Sequence, residues 1–288
     1  MPKPTPRIRM IVGPTASGKT KRAIEAALER GGEVISADSR CVYRRLDIGT
    51  AKPTADERKG VAHHFIDERN LGEPFSAGRF ASEAETRIYE ILNRGRVPIV
   101  AGGSTLYLSA LKNGIAEMPD VPERVRNTLV TRLTEQGLPP LVAELQRLDP
   151  DLVSRIDVSN PMRVLRGLEV YEASGTPLSV WQRQRSAPAF AYELELLAPP
   201  LDVMDERINR RVEAMVDAGW LDEVVGLLRE GVSPLLEPLR TIGYREMADV
   251  ALGQTTLPEA VSRIQLRTRQ YARRQLTFFR GRSFLGDL

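Results

Sequence analysis

The chain has 288 residues, 42% of them hydrophobic, enough for one sizeable buried core and a smaller attached lobe. Its net charge is only +3, yet the positive charge is unevenly placed and points to a polyanionic partner. The single cysteine, Cys41, excludes an intramolecular disulfide and any cysteine-rich zinc cluster. No run approaches membrane-spanning length, and the opening MPKPTPRIR lacks the apolar stretch of a signal peptide, so a cytoplasmic protein without membrane attachment is expected.

The first predicted element is a strand at residues 8–12, which runs into Gly13-Pro14-Thr15-Ala16-Ser17-Gly18-Lys19-Thr20. This is a complete phosphate-binding P-loop, G-x-x-x-x-G-K-[ST]. Glycines at both ends let the backbone wrap an anion, Lys19 adds a full charge, and the Thr20 hydroxyl is placed to help hold Mg2+. The loop alone does not say whether the phosphate is transferred, hydrolysed or expelled. An amphipathic helix at 21–30 follows, then strands at 33–37, 63–66 and 97–101 with a helix at 77–93. Such alternation argues for a parallel α/β sheet with function gathered at the strands' C-terminal ends.

After residue 111 the pattern becomes helical, at 123–136, 141–148 and 161–174, until a β-like run at 192–197 restores the first pattern. The expected architecture is therefore α/β: a P-loop NTPase-like parallel sheet core with a helical insertion domain. Residues 1–112 and 191–288 make the core and 113–190 the insertion. The last helix should open at Thr256-Leu257-Pro258-Glu259, a capping box with proline in the first turn.

Asp38 closes the second strand at the sheet edge that carries the P-loop; position alone leaves it a turn cap, a magnesium ligand or a general base. The strand at 97–101 runs into Gly102-Gly103-Ser104, where backbone can approach a ligand and a hydroxyl stands in place of the acid a hydrolytic NTPase would favour. His63 and His64 point to opposite strand faces and have no third ligand nearby, so they read as structural. From Val261 onward, seven arginines face one acid. Arg263, Arg267, Gln270 and Arg274 share one helical stripe, while Val261, Ile264, Tyr271 and Phe279 lie toward another, so the helix can dock and still present guanidinium groups to a nucleic acid. Arg163 and Arg166 share a face, and Arg207 with Arg211 could reach a diphosphate.

Together GPTASGKT, ISADSRCVYRRLDIGTAKPT, HHFID, AGGSTLYLSAL, NPMRVLRGLEVYEASGTPLS, RINRRVEAMVDAGWLDEV, TIGYREM and TRQYARRQLTFFR resemble the tRNA dimethylallyltransferase (tRNA isopentenyltransferase) family over almost the whole chain. The resemblance implies transfer of a dimethylallyl group from dimethylallyl diphosphate to the exocyclic amine of the adenine just 3′ of a tRNA anticodon, with Mg2+, by a monomer. It implies that residues 13–20 and Arg211 hold the diphosphate, that Asp38 takes the amine proton with Ser104 beside it, and that the adenine is flipped into a channel between core and lobe. It further implies tRNA contacts from Asp38, Ser39, Arg40 and Cys41, from Ser104 and Arg126, and from Met162, Arg163, Val164, Leu165 and Arg166. Three positions depart from the family pattern: Cys41 stands where glutamine is common, Ser104 where threonine is, and Met162 where glutamine is. Ser104 keeps the hydroxyl; Cys41 and Met162 cannot make amide hydrogen bonds, which leaves backbone contact there. A small-molecule kinase with the same P-loop and a nonenzymatic RNA-binding protein are the readings from other classes.

Overall fold

The strands predicted from apolar runs join one sheet. In the computed structural model, which describes residues 7–114, 116, 118–281 and 284, β1 (Arg7–Val12), β2 (Gly32–Ala37), β3 (His63–His64), β4 (Val97–Gly102) and β5 (Ala191–Leu196) are all parallel, in the order β3-β2-β4-β1-β5. The register matters for function. Val12 and Ala37 both pair with Gly102, so the three central strands end level and the residues after them emerge at one sheet edge. The run expected at 192–197 lies in this sheet as β5, with Leu196 opposite Val12. Arg282 and Asp287, part of the basic C-terminal count, and the first six residues lie outside the described residues.

One strand is shorter than its sequence suggested. The run at 63–66 pairs only at His63–His64 because Phe65 and Asp67 adopt left-handed backbone, with φ of 63° and 57°, which cannot continue a ladder. His63 Nδ1 lies 2.8 Å from the Val61 carbonyl and His64 Nε2 2.8 Å from Glu33 Oε2, so both imidazoles serve local structure.

The chain divides into two compact units, Met1–Lys112 with Ala189–Leu288, and Asn113–Pro188. In the first, α1 (Lys19–Arg30) packs Ala23, Ile24, Ala26 and Ala27 with Ile11, Val34 and Ile99 of the sheet. After the short α2 (Ala55–Arg58), α3 (Ala77–Asn93) buries Phe80, Ala81, Ala84, Ile88 and Ile91, the spacing of a one-faced helix. Phe80 stacks on Tyr107 of α4 (Thr105–Asn113), ring centroids 4.5 Å apart.

The second unit is helical: α5 (Glu123–Gln136), α6 (Leu138–Leu148), α7 (Pro150–Val153), α8 (Pro161–Ser174) and α9 (Leu178–Arg183). Its core gathers Leu129, Leu141, Leu145, Leu152, Val164, Leu165 and Leu168. α6 begins three residues before the expected 141 because Pro139 and Pro140 sit in the first turn, where a missing N–H breaks no helical bond. Buried Asp149 accepts from the Leu152 and Ser179 N–H groups at 3.0 and 2.8 Å and so ties α7 to α9. Among the described residues this unit adds only an isolated bridge, Ala116 with Arg185, and no strand to the sheet.

The first unit resumes before β5, where Phe190 packs on Tyr89 at 4.6 Å; the compact helical unit ends at Pro188 where the sequence suggested 190. It closes with α10 (Leu201–Asp217), α11 (Trp220–Arg229), a 3-10 turn (Glu237–Arg240), α12 (Tyr244–Ala251) and α13 (Leu257–Arg280). α13 opens as expected, with Glu259 accepting the Thr256 N–H at 3.1 Å.

Candidate functional site

The loop from β1 to α1 has the backbone an anion requires. A Cβ on Gly13 would lie 2.4 Å from the Leu197 carbonyl oxygen, so no larger residue fits. Gly18, at φ 93°, turns the chain into α1, whose N-terminus has no side-chain cap and no acidic residue in its first turn. Its unpaired N–H groups and positive dipole end are left for a ligand. Ser17 Oγ is buried in the same loop without a hydrogen-bond partner, an orphan that a phosphate oxygen would satisfy. Thr20 is exposed in the first turn of α1. Among the described residues no three His, Cys, Asp or Glu side chains gather into a metal cage. Mg2+ keeps several waters and bridges to substrate phosphate, so one hydroxyl beside a phosphate cradle fits it.

Lys19 donates from Nζ to the Pro14 carbonyl at 2.7 Å. Burial lowers its pKa to about 8; Asp38 acts against that shift, Arg211 with it, and Cys41 against it. The ammonium therefore lies within electrostatic reach of the expected base and the expected second diphosphate cation. Solvent reaches much of Arg211, yet its guanidinium is surrounded closely enough by protein for burial to lower its pKa. Arg207, one turn earlier on α10, reaches the Ala16 carbonyl from Nη1 at 3.5 Å.

Asp38 follows β2 level with the P-loop, and Oδ1 accepts from the N–H groups of Arg40 at 2.8 Å and Cys41 at 3.2 Å. It is thus a turn cap whatever else it does. Ser104 meets it from β4. Its Oγ accepts from Ser39 N–H at 2.9 Å and its own N–H donates to the Ala37 carbonyl at 3.1 Å. The strands approach this closely because a Cβ on Gly102 would lie 2.1 Å from the Ala37 oxygen.

Two expected tRNA-contacting side chains near Asp38 are already engaged. Arg40 makes a two-pronged pair with Glu237, both bonds 2.7 Å, and Cys41 is buried with its thiol 3.7 Å from the Thr50 carbonyl. Burial, then the Asp38 charge, push that thiol well above its ordinary pKa, so it stays neutral. The segment after it is pinned: Glu223 Oε2 accepts from Asp47 and Ile48 N–H at 3.1 and 2.9 Å, and Lys52 bonds Asp47, Asp67 and the Tyr43 carbonyl.

On α13 the expected arginine row divides. Arg263 is exposed and bonds the Thr255 hydroxyl; Arg274 is exposed and lies over the Tyr271 ring at 5.9 Å; Arg267 is paired with buried Glu246 at 2.5 Å. Tyr271, expected on the docking stripe, is instead partly exposed. Burial raises its phenol pKa, as does the Asp38 carboxylate. Gln275 lies in the TRQYARRQLTFFR segment, which gave it no role. It is buried, and accepts from Thr15 N–H at 2.9 Å. A lone amide on a face otherwise formed by Ile264, Ala272, Leu276 and Phe279 was the available sign.

In the helical unit, Arg126 on α5 and Met162 and Arg163 at the start of α8 are exposed, and Arg166 is half-buried with Glu169 at 3.4 Å. Val164 and Leu165 correct the expectation: both are buried core residues whose backbone is committed to α8, so the side chains this stretch leaves open to solvent are Met162, Arg163 and, in part, Arg166.

Comparison with known proteins follows the same outline. The family model described as IPP transferase matches residues 41–282. A tRNA dimethylallyltransferase of Salinibacter ruber is 46% identical over 274 residues, covering 95% of this chain and 85% of the relative. One from Chlorobaculum parvum is 46% identical over 281 residues, covering 96% and 90%. The crystal structure of the full-length tRNA isopentenylpyrophosphate transferase of Bacillus halodurans is similar at 38% identity and TM-score 0.70, covering 96% of this chain and 88% of that one. A eukaryotic dimethylallyltransferase acting on tRNA is similar at 27% identity and TM-score 0.82, covering 98% and 72%.

Proposed function

The chain belongs to the IPP transferase family, and from that premise we propose that it transfers a dimethylallyl group from dimethylallyl diphosphate to tRNA. The acceptor is the exocyclic amine of the adenine immediately 3′ of the anticodon. The observation that carries this reading is the level ending of β1, β2 and β4, which brings Lys19, Asp38 and Ser104 to one edge. A phosphate cradle is thereby set against a carboxylate and a hydroxyl.

In this reaction the amine nitrogen forms a bond to the allylic carbon as the carbon–oxygen bond to diphosphate breaks. The electron pair leaves with the diphosphate, where residues 13–20 and Arg211 stabilise the growing charge. Asp38 accepts the amine proton. Ser104 holds the Ser39 N–H, and with it the turn that presents Asp38. Mg2+, held by Thr20, would add positive charge to the leaving group. An adenine amine reaches an allylic carbon only when its base leaves the stack, and the tRNA held for that step is bound by exposed Arg263 and Arg274 of α13, and by Arg126, Met162, Arg163 and Arg166 of the helical unit. The protein acts as a cytoplasmic monomer in this account.

Isotope tracing tests it. Dimethylallyl diphosphate labelled in the allyl group should place label in tRNA with one diphosphate released per label. Label absent from RNA, with labelled ATP phosphorylating a small acceptor instead, would make the protein a kinase.

A further inference from the structure

The side-chain amide of Gln275 joins two loops that are remote in sequence. Its Oε1 accepts from Thr15 N–H in the P-loop at 2.9 Å, and its Nε2 donates to the Gly103 carbonyl at 2.7 Å. The residue is 3% exposed, so both bonds are made away from water, where losing either leaves a buried polar group unsatisfied. A Cβ on Gly103 would stand 2.7 Å from Nε2 and 3.5 Å from Lys19 Nζ. The absence of a side chain at Gly103 therefore lets the amide approach, and the contact closes beside the Lys19 ammonium.

We propose that Gln275 is a positioning residue for the phosphate site: it fixes the distance between the P-loop and the Gly102-Gly103-Ser104 turn, and so between the diphosphate cradle and the Ser104–Ser39–Asp38 connection. An amide offers an acceptor to Thr15 and a donor to Gly103 from one planar group of this length at every pH. A carboxylate would set a negative oxygen against the Gly103 carbonyl, and a thioether could serve neither partner well. The Thr15 N–H is engaged by this bond and the Ser17 N–H by the Pro14 carbonyl at 3.3 Å, which leaves the N–H groups of Ala16 and of Gly18, Lys19 and Thr20 for phosphate.

The inference rests on the diphosphate reading of the loop, and binding of inorganic diphosphate tests it apart from prenyl transfer by the parent protein. Affinity is measured calorimetrically between about pH 4 and 9 for the parent, Gln275→Met and Gln275→Glu, with thermal unfolding recorded alongside. The methionine variant should bind at least about tenfold more weakly at every pH. The glutamate variant should bind nearly as the parent does at about pH 4, below the ordinary glutamate pKa of about 4.3, where its protonated carboxyl can donate to Gly103 and accept from Thr15; the Lys19 ammonium and the Tyr271 phenol are the titratable groups that face it. It should then lose affinity faster than the parent as pH rises and the carboxyl ionises. That crossing separates positioning from a simple loss of packing. Parental affinity in both variants, or an equal loss in both at every pH, would overturn the proposal. Gly103→Ala tests the same contact from its other partner and should also weaken diphosphate binding; unchanged affinity there would count against the clamp even if a Gln275 variant failed to fold.

Discussion

Arg267 and Glu246 form an ion pair of 2.5 Å in which the carboxylate is 1% exposed and the arginine side chain 46% exposed. Glu246 also accepts from the Gly243 N–H at 2.7 Å, so it fixes the entry to α12. Arg267→Gln removes the cation from a buried acid and should destabilise the fold by about 1 to 3 kcal/mol. Arg263→Gln and Arg274→Gln lack such a partner and should stay within about 0.5 kcal/mol of the parent. Thermal denaturation of the three single variants decides it; equal melting temperatures would assign Arg267 to the solvated face.

Arg263 and Arg274 are then the fair test of the basic helix. Replacing both with Gln should weaken every tRNA tested and reduce the log–log salt slope by about 0.7 to 0.9 per lost phosphate contact. Diphosphate affinity should not move. A double variant with the parental salt slope would shift the tRNA footprint toward Arg126, Arg163 and Arg166.

Lys19 makes the diphosphate site pH-sensitive. Its pKa is about 8 in the fold against 10.5 for an ordinary lysine, so the cost of keeping it charged is present below pH 8 and is relieved as pH rises toward 10.5. A diphosphate favours the charged form. Affinity should therefore fall as pH rises through about 8, and binding above that point should take up a proton. Calorimetry in buffers of different ionisation enthalpy reads this uptake, and Lys19→Met should remove it. Identical uptake in the variant would place the proton on the ligand.

Asp38→Asn separates the two roles of this residue. Asparagine retains a carbonyl oxygen for the Arg40 and Cys41 N–H groups, so the turn should survive. Single-turnover transfer should nevertheless fall by roughly 10²- to 10⁴-fold, the loss typical of a missing general base. A near-normal rate would leave Asp38 with the turn alone.

The P-loop, the sheet and the helical interval were legible because each has a local signature: a fixed glycine spacing, apolar runs, and a change of period after residue 111. Asp38 and Ser104 were legible as strand ends. What the sequence concealed lies in contacts between distant segments. Arg267 shares a helical stripe with Arg263, and nothing in that periodicity announces Glu246, which is 21 residues away. Gln275 is similarly hidden, since its partners stand 260 and 172 residues away. Val164 and Leu165 misled in the opposite sense: adjacent to Arg163 and Arg166 in one motif, they face the core because a helix turns neighbours away from each other.

The central claim is that the P-loop here holds a leaving group while Asp38 unmasks an adenine amine in tRNA. Mass spectrometry of nucleosides digested from unmodified tRNA, after incubation with the protein, dimethylallyl diphosphate and Mg2+, tests it most directly. The account predicts a single adenosine, the one immediately 3′ of the anticodon, heavier by one isopentenyl unit, and its absence when Asp38→Asn replaces the parent in a single-turnover reaction of equal length. Unmodified adenosine at that position with the parent protein, or the same added mass on another nucleoside, would contradict it.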